Sequence, residues 1–215
     1  MKELFKTFKR EDFFDKVNLH IHSNYSDGEC TFEELIKQAE TLGLQHYSIT
    51  DHNTIDGYKN LSYVPNGLIT GVEFDCFYDL NLPHILGYGI DINNEAILKL
   101  AKKFQKGIFE IPKRILTSRN PKDVIDAIHK AGGIAVLAHP CCYWCLNLDR
   151  FIEKLVQYGL DGVEVYYPYD RATRVLKFHS GKTVLKIAEK YNLLKTGGQD
   201  QHKNLTGGVV DGNLY

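Results

Sequence analysis

Apolar and polar residues alternate near the start of the chain, in the segment VNLHIH at residues 17–22. A period of two is typical of a β-strand, so the three apolar side chains point to one face and Asn18, His20 and His22 to the other. An edge strand with its polar face in water would explain the paired histidines. A metal site would explain them equally well, because side chains two positions apart can reach one ion. The segment by itself leaves both explanations open.

Helical patterns, with apolar residues three or four positions apart, recur along the chain and have recognisable ends. In TFEELIKQAETLGL, Thr31 and Glu34 have the spacing of a capping box, and Gly43 stands where a helix stop is expected. In NPKDVIDAIHKAGG, Asn120 is the expected cap and Pro121 opens the first turn. Two more helices are predicted in LDRFIEKLVQYG and KTVLKIAEKYN.

Short apolar runs between these helices predict six further strands, in QHYSIT, GLITGVEF, HILGYGID, IAVLAH, GVEVYY and LLKTGGQD. The alternation of strands and helices indicates an α/β fold with a mostly parallel sheet covered by helices, either open or closed into a barrel. Residues 94–118 are predicted to be a short insertion, helical and then irregular. We therefore expect a single domain over residues 1–215.

Composition narrows the classes of partner. With 26 basic and 27 acidic residues the net charge is -1, so bulk electrostatics indicates neither a nucleic-acid nor a membrane surface. No apolar run approaches the roughly 20 residues of a membrane helix, and the N-terminal segment lacks the apolar core of a secretion signal. Five cysteines is an odd number for a disulfide framework. Reduced thiols, and hence a cytoplasmic location, are expected.

The positions of the histidines along the chain help to decide whether the first strand is a solvent-exposed edge or part of a metal site. Six of the nine lie at the ends of predicted strands or where the chain re-enters one, namely His20, His22, His52, His84, His139 and His202. Three carboxylates lie in comparable places, namely Asp27, Glu73 and Asp200. In a closed β/α fold such ends meet at one mouth. The other three histidines, His46, His129 and His179, are expected to be ordinary polar residues.

Nine such donors exceed the needs of one catalytic ion, which takes about three protein ligands. They suit two or three ions that share bridging groups. Imidazole and carboxylate ligands favour zinc, manganese or iron over calcium and exclude an all-thiolate site. Metals about 3.5–4 Å apart can share a hydroxide and clamp both oxygens of an in-line displacement at phosphorus. On this evidence His20 and His22 are predicted to face an ion.

Five separated motifs, HIHSNYSDG, SITDHNT, GVE, LAHP and GGQDQH, resemble those of the PHP (polymerase and histidinol phosphatase) superfamily in order and spacing. The resemblance extends from about Val17 to about Asn204. VEVYYP together with AEKYNLLKTGGQD is most similar to the nucleotide-directed phosphoesterases, which include nucleoside bisphosphate phosphatases and a short-RNA exoribonuclease. Two departures concern the substrate: the insertion between His84 and His139 is short, and Lys203 replaces the glycine that usually follows the last motif.

The resemblance implies a distorted seven-stranded (β/α)7 barrel with a three-metal cleft at the C-terminal ends of the strands. Carried over position by position, it implies one ion held by His20, His22, Glu73 and Asp200. Glu73 would bridge to a second ion held by His84 and His139. A third ion would take Asp27, His52 and His202. Glu73, Asp200 and His202 would form the catalytic group.

Other residues keep two interpretations each. Arg171, after a predicted strand, and Lys203, beside a predicted ligand, are either phosphate-binding cations or solvated surface charges. Asp51 either orients the ring of His52 or is a simple turn residue.

Cys142 and Cys145 have C-x-x-C spacing next to Cys141, but a single such pair is poor evidence for a zinc ribbon. Neither the spacing nor its context indicates a redox pair. Packed thiols are expected there.

The implied activity is a metal-dependent phosphoesterase acting on a small phosphomonoester or short nucleotide phosphate. A histidinol-phosphate-type phosphatase and a non-catalytic metal-binding PHP module remain alternatives. A long nucleic acid is not expected, because basic residues are scattered. Five aromatic residues near the predicted mouth either stack one or two bases or pack in the core, namely Tyr143, Trp144, Tyr166, Tyr167 and Tyr169.

Overall fold

The computed structural model describes residues 1–101, 119–168 and 179–206. Its strands are β1 (Val17–Ile21), β2 (His46–Ile49), β3 (Gly71–Asp75), β4 (His84–Tyr88), β5 (Ile134–Leu137), β6 (Gly162–Tyr166) and β7 (Leu194–Gly197). Its α-helices are α1 (Lys2–Thr7), α2 (Asp12–Asp15), α3 (Phe32–Thr41), α4 (Asp56–Lys59), α5 (Glu95–Leu100), α6 (Pro121–Lys130), α7 (Leu148–Gln157) and α8 (Gly181–Lys190). A 3₁₀ turn spans Pro140–Cys142. All seven predicted strands are confirmed.

The predicted helices begin where their caps indicate. The Thr31 hydroxyl accepts the backbone N–H of Glu34, whose carboxylate accepts the Thr31 N–H, so the capping box at α3 is complete. Asn120 Oδ1 accepts the Lys122 N–H at the start of α6. Within the three described ranges, no helix has the length and apolar character needed to span a membrane.

The seven strands form two sheets. β1 and β2 pair in parallel, and the other five lie in the order β3-β4-β5-β6-β7. The expectation of a mostly parallel sheet is wrong for β4, which runs antiparallel to both neighbours. The loop from Cys76 to Pro83 is too short for the crossover that a parallel connection needs. As a result His84, the first residue of β4, lies opposite Asp75, the last residue of β3.

Isolated bridges connect the two sheets. Ile21 at the end of β1 pairs with Gln201 beyond β7, and His52 beyond β2 pairs with Glu73 in β3. Among the described residues, the ladders do not continue into one closed ring. A mixed α/β fold is confirmed, whereas the exact seven-stranded barrel is not.

The core occupies the space between the strands and the helices that cover them. Leu19 and Val136 are completely buried, as is Phe32 on the apolar face of α3. Tyr88 in β4 is also buried, and its hydroxyl donates to the Leu19 carbonyl oxygen at 2.9 Å. This hydrogen bond satisfies the buried Tyr88 hydroxyl, which would otherwise be destabilising without a partner.

The predicted insertion begins with α5, for which the Asn94 side chain supplies the cap. The rest of it, residues 102–118, lies outside the described residues. Arg119 follows directly, and its guanidinium donates to the Leu100 carbonyl oxygen and to Asn53 Oδ1.

Candidate metal centre

The nine predicted ligand residues meet at one end of the two sheets. His20 lies within β1, and His22, His52 and His139 follow β1, β2 and β5. Glu73 is the middle residue of β3, and β4 brings His84 to the same place because it runs the opposite way. The remaining three residues lie in the loops after β1 and β7, namely Asp27, Asp200 and His202.

The polar face of β1 points into this cluster. His20 and His22 have no exposed surface, and Asn18 is buried as well. A half-buried edge strand with its histidines in water is therefore excluded. The alternation in VNLHIH separates an apolar core face from an interior polar face.

Glu73 is the centre of the cluster and is completely buried. Its Oε1 atom lies 2.7 Å from His84 Nδ1 and 3.2 Å from His139 Nε2. Its Oε2 atom lies 3.2–3.3 Å from a nitrogen of each of three further histidines, His20, His22 and His52. One carboxylate thus touches imidazoles carried by β1 and by the ends of β2, β4 and β5.

Four groups of donor atoms are close enough to hold an ion. They are His22, Asp27, His52 and His202; His20, His22 and Glu73; His20, His139 and Asp200; and His52, Glu73 and His84. In each group the ligand atoms lie within 4.8 Å of one another. His20, His22, His52 and Glu73 each belong to two groups, so neighbouring ions would share them. These groups divide the donors differently from the three sets that the family resemblance implies, and that assignment stays a prediction.

The charges of the cluster favour a cation. Every ion pair that Glu73, Asp27 and Asp200 make within the described part of the chain is to a histidine. Burial opposes ionisation of Glu73, but the surrounding imidazoles hold the pKa of its carboxyl well below the usual range. Burial likewise disfavours a charged His22, yet Asp200 and Glu73 raise the pKa of its imidazole to about 10. Bound cations can replace those protons.

Several buried atoms in the cluster still lack hydrogen bonds. Glu73 Oε2, His22 Nδ1 and His139 Nδ1 make none with any described residue. Buried polar atoms are normally satisfied, so such atoms require an explanation. Converging nitrogen and oxygen atoms, some of them left without a hydrogen bond, fit the ligand preferences of a transition-metal ion. The residues present therefore suit the predicted metals.

Two carboxylates of the site, Asp75 and Glu164, were missed in the sequence, and Tyr167 was considered only for base stacking or core packing. Asp75 Oδ1 lies 3.2 Å from His52 Nδ1 and 3.4 Å from His84 Nε2. Glu164 Oε1 lies 3.1 Å from His20 Nδ1, and the Tyr167 hydroxyl donates to Asp200 Oδ2 at 2.8 Å. A signal for Glu164 was available, because a lone carboxylate inside the apolar strand GVEVYY requires a buried partner.

Asp51 serves the turn after β1 and not the ring of His52. Its carboxylate accepts the Ser23 N–H at 2.7 Å, the Ser23 hydroxyl at 2.6 Å and the Ser26 hydroxyl at 2.7 Å. These bonds shape the loop that leads to Asp27. Of the two interpretations, the turn residue is correct.

The other charged and thiol candidates lie outside the cluster or outside the described residues. Lys203 Nζ lies 3.2 Å from Glu29 Oε1, and both side chains are exposed, so the surface-charge interpretation holds for it. Arg171 lies outside the described residues. All five cysteines are free, which agrees with the packed thiols expected at Cys142 and Cys145.

The three histidines expected to be ordinary polar residues all have contacts away from the cluster. His129 Nε2 lies 2.7 Å from Asp161 Oδ2, and His179 Nε2 lies 2.6 Å from the Cys145 carbonyl oxygen. The ring of His46 packs against Phe8.

Gly198 allows the end of β7 to pass directly against His20. An added Cβ would lie 2.2 Å from His20 Cβ and 2.5 Å from His20 N. We expect Gly198→Ala to lower the free energy of unfolding by about 1–3 kcal/mol, because backbone must move, and to weaken metal binding. Chemical denaturation and metal titration measure the two effects.

Gly43→Ala is the matched control. Its Cβ would meet nothing within 4 Å, but its φ of +71° strains an alanine. We expect a loss of about 1 kcal/mol of stability with metal affinity unchanged. If both variants bind metal like the wild type, the close approach of Gly198 does not position His20.

Comparison with known proteins agrees with this geometry. The PHP domain matches residues 18–207, which is most of the chain. The chain belongs to the PHP domain family. The recognition made from the five motifs is thereby confirmed.

Relatives of this PHP chain are named as hydrolases of phosphate esters. It is 23% identical over 256 residues to phosphoribosyl 1,2-cyclic phosphate 1,2-diphosphodiesterase of Eggerthella lenta, covering 86% of this chain and 93% of the relative. It is 26% identical over 194 residues to the 5'-3' exoribonuclease Rnm of Escherichia coli, covering 82% of this chain and 66% of the relative. The prediction of a phosphoesterase is confirmed at this level.

A solved structure has the same fold. A protein from Bifidobacterium adolescentis classed as a metal-dependent phosphoesterase superposes with a TM-score of 0.71 at 22% identity. The superposition covers 93% of the PHP chain and 94% of that protein.

Proposed function

We propose that this PHP chain is a metal-dependent phosphoesterase that hydrolyses a small phosphomonoester or a short nucleotide phosphate. One observation carries the proposal: the buried Glu73 carboxylate lies within 3.3 Å of nitrogens from five histidines. Imidazole nitrogens and carboxylate oxygens are common ligands of catalytic metal ions, so a buried carboxylate in contact with five imidazoles supports a metal-binding role. The names of the relatives support the same reaction class.

We propose two or three divalent ions, of zinc, manganese or iron, as cofactors. The proposed ligands are the nine residues His20, His22, Asp27, His52, Glu73, His84, His139, Asp200 and His202, supported by the four donor groups. When bound, such ions polarise phosphoryl oxygens and lower the pKa of water. We include Glu73, Asp200 and His202 in the catalytic group as the resemblance implies.

The chain's own residues hold these donors in place. Asp200 Oδ1 faces His22 Nε2 at 3.1 Å, while its Oδ2 accepts the Tyr167 hydroxyl, so the carboxylate has one oxygen available to an ion. His202 is the most exposed of the six imidazoles, with 35% of its side chain accessible, which supports a position for it at the substrate entrance. The buried side chains around Glu73 exclude bulk water from the bottom of the cleft.

The remaining proposals concern the barrel, the extent of the domain and the cellular compartment. We propose that the two sheets, joined by the bridges Ile21–Gln201 and His52–Glu73, form the distorted seven-stranded barrel of the family. We also propose that residues 1–215 form one domain, which is supported by the extent of the family match. The five free thiols support a reducing, cytoplasmic compartment.

The substrate class is tested with a panel of phosphorylated compounds. The protein, reconstituted separately with zinc, manganese and iron, is incubated with nucleoside monophosphates and bisphosphates, a cyclic ribose phosphate, short oligonucleotides and histidinol phosphate. We expect phosphate or nucleotide release from a nucleotide-related compound. Release from histidinol phosphate alone would favour that alternative, and no release from any compound would favour a non-catalytic module.

Substrate length is a separate prediction. We expect kcat/KM for a mononucleotide or short oligonucleotide to exceed that for a long single strand, and to change little as salt rises from low to moderate concentration. Few phosphates would be neutralised by Lys or Arg, so few counterions would be released. Tyr143, Tyr166 and Tyr167 are buried, which leaves Trp144 as the exposed member of the described aromatic candidates. Tyr169 lies outside the described residues.

The measurement compares both substrates at two salt concentrations with the same metal loading. A strong preference for the long strand, collapsing as salt rises, would contradict the proposed small substrate and indicate a basic groove. That result would leave the proposed phosphoesterase reaction itself uncontradicted.

A further inference from the structure

Glu164 is a buried carboxylate that no predicted ligand set uses. It lies in the middle of β6, with no exposed surface, among apolar neighbours. Its Oε1 atom lies 3.1 Å from His20 Nδ1. Its Oε2 atom accepts the backbone N–H of His139 at 2.9 Å. One carboxylate thus contacts two proposed metal ligands, from β1 and from the end of β5.

We propose that Glu164 is a positioning residue that fixes the ring tautomer of His20 and the backbone of His139, and so prepares both histidines to bind metal. The inference rests on the proposed metal-dependent function. It assigns to β6 a part in the metal site that the ligand motifs do not include.

The tautomer of His20 follows from the chemistry of its partner. A carboxylate only accepts hydrogen bonds, so the Nδ1 atom facing it carries the proton. In a neutral imidazole the Nε2 atom then has a free lone pair. That atom lies 3.3 Å from Glu73 Oε2 and 3.5 Å from Asp200 Oδ1, among the donors of the cluster. The proton on Nδ1 therefore directs the lone pair toward the ions.

The contact with His139 stabilises the backbone conformation of that residue. His139 has φ +26° and ψ +58°, a conformation that residues other than glycine rarely adopt. The hydrogen bond from its N–H to Glu164 Oε2 holds this strained turn. With the turn in place, His139 Nε2 lies 3.2 Å from Glu73 Oε1.

Glu164→Gln tests the hydrogen-bonding role of the carboxylate separately from the volume of the side chain. A glutamine has one acceptor oxygen and one NH₂ group where the carboxylate has two acceptors. When its oxygen accepts the His139 N–H, its NH₂ group faces His20 Nδ1, which must then accept. The proton of His20 moves to Nε2, and the lone pair needed for metal binding is lost. The fold is retained because shape and both hydrogen bonds are kept.

The experiment measures zinc affinity by competition with a chromogenic chelator and zinc content by elemental analysis. We expect Glu164→Gln to bind zinc about 10–100-fold more weakly than the wild type, with an unchanged thermal midpoint in the metal-free state. Glu153→Gln makes the same chemical change on the exposed surface of α7 and should bind zinc like the wild type. Zinc affinity of Glu164→Gln within about threefold of the wild type would overturn the proposal.

A second measurement needs no variant of Glu164. Two-bond ¹H–¹⁵N correlation spectra of the zinc-loaded wild-type protein, with His20 assigned by comparison with His20→Ala, report which ring nitrogen carries the proton. We expect Nδ1, and a proton on Nε2 would refute the role of Glu164. A protein that binds zinc but hydrolyses no phosphate ester would contradict the proposed function, while the tautomer and the affinity comparison would still decide this inference.

Discussion

Replacing Glu73 by glutamine or alanine is expected to lower kcat/KM by at least about 100-fold while the protein stays folded. The carboxylate is completely buried and contacts nitrogens of five histidines, so neighbouring ions would lose the group they share. Rate losses of several kcal/mol are typical when such a metal arrangement is disturbed, and each 1.4 kcal/mol is about tenfold.

Glutamine is the sharper of the two changes. It keeps the volume of the side chain and removes the negative charge, so a loss of activity reflects electrostatics and ligation and not a cavity. Circular dichroism and a thermal midpoint verify the fold, elemental analysis counts the ions, and Glu153→Gln is the surface control. Activity above about a tenth of the wild-type value in either Glu73 variant would refute the bridging assignment.

Removing the metals is expected to abolish activity, and adding zinc, manganese or iron is expected to restore it. Elemental analysis of protein purified without chelator should show two to three ions per chain, because nine donors converge in four overlapping groups. Less than about one ion per chain after gentle reconstitution with manganese would contradict the proposed centre.

Metal affinity should also rise with pH. In the metal-free protein, burial works against charged imidazoles, but the carboxylates around them raise the pKa of His22 to about 10 and that of His20 well above its ordinary value. These groups therefore hold protons at neutral pH, and a metal must displace them. Because the metal-free state binds more protons than the loaded state, lowering the pH favours metal loss.

Isothermal titration in two buffers of different ionisation enthalpy measures the protons released. We expect at least about one proton per ion at pH 7 and an apparent affinity that increases about tenfold per pH unit for each proton released. Competition between protons and metal ions for the imidazoles should lower the apparent metal affinity even above pH 6.5. Unperturbed histidines are already neutral in that range. An affinity independent of pH between 6 and 8 would show that the histidines are not the ligands.

The sequence by itself determined the local elements and the kinds of donor. Thr31 and Glu34 form a capping box, and Asn120 caps α6, because these interactions act within three or four residues. The period of two in VNLHIH placed His20 and His22 on one face of a strand, because the alternation of side chains along a strand is also set by near neighbours. The gathering of nine donors at one end of the sheets could be predicted because strand ends in β/α folds meet there.

Only the tertiary structure decided which partners those donors have. The reversal of β4 set His84 opposite Asp75, although the sequence indicated a mostly parallel sheet. Glu164 reaches His20 across 144 positions of the chain, and Asp51 turns to the loop after β1 instead of to its neighbour His52. Such choices depend on strand pairing and on the packing of buried side chains, which join distant segments, whereas propensity, capping and periodicity act only between near neighbours.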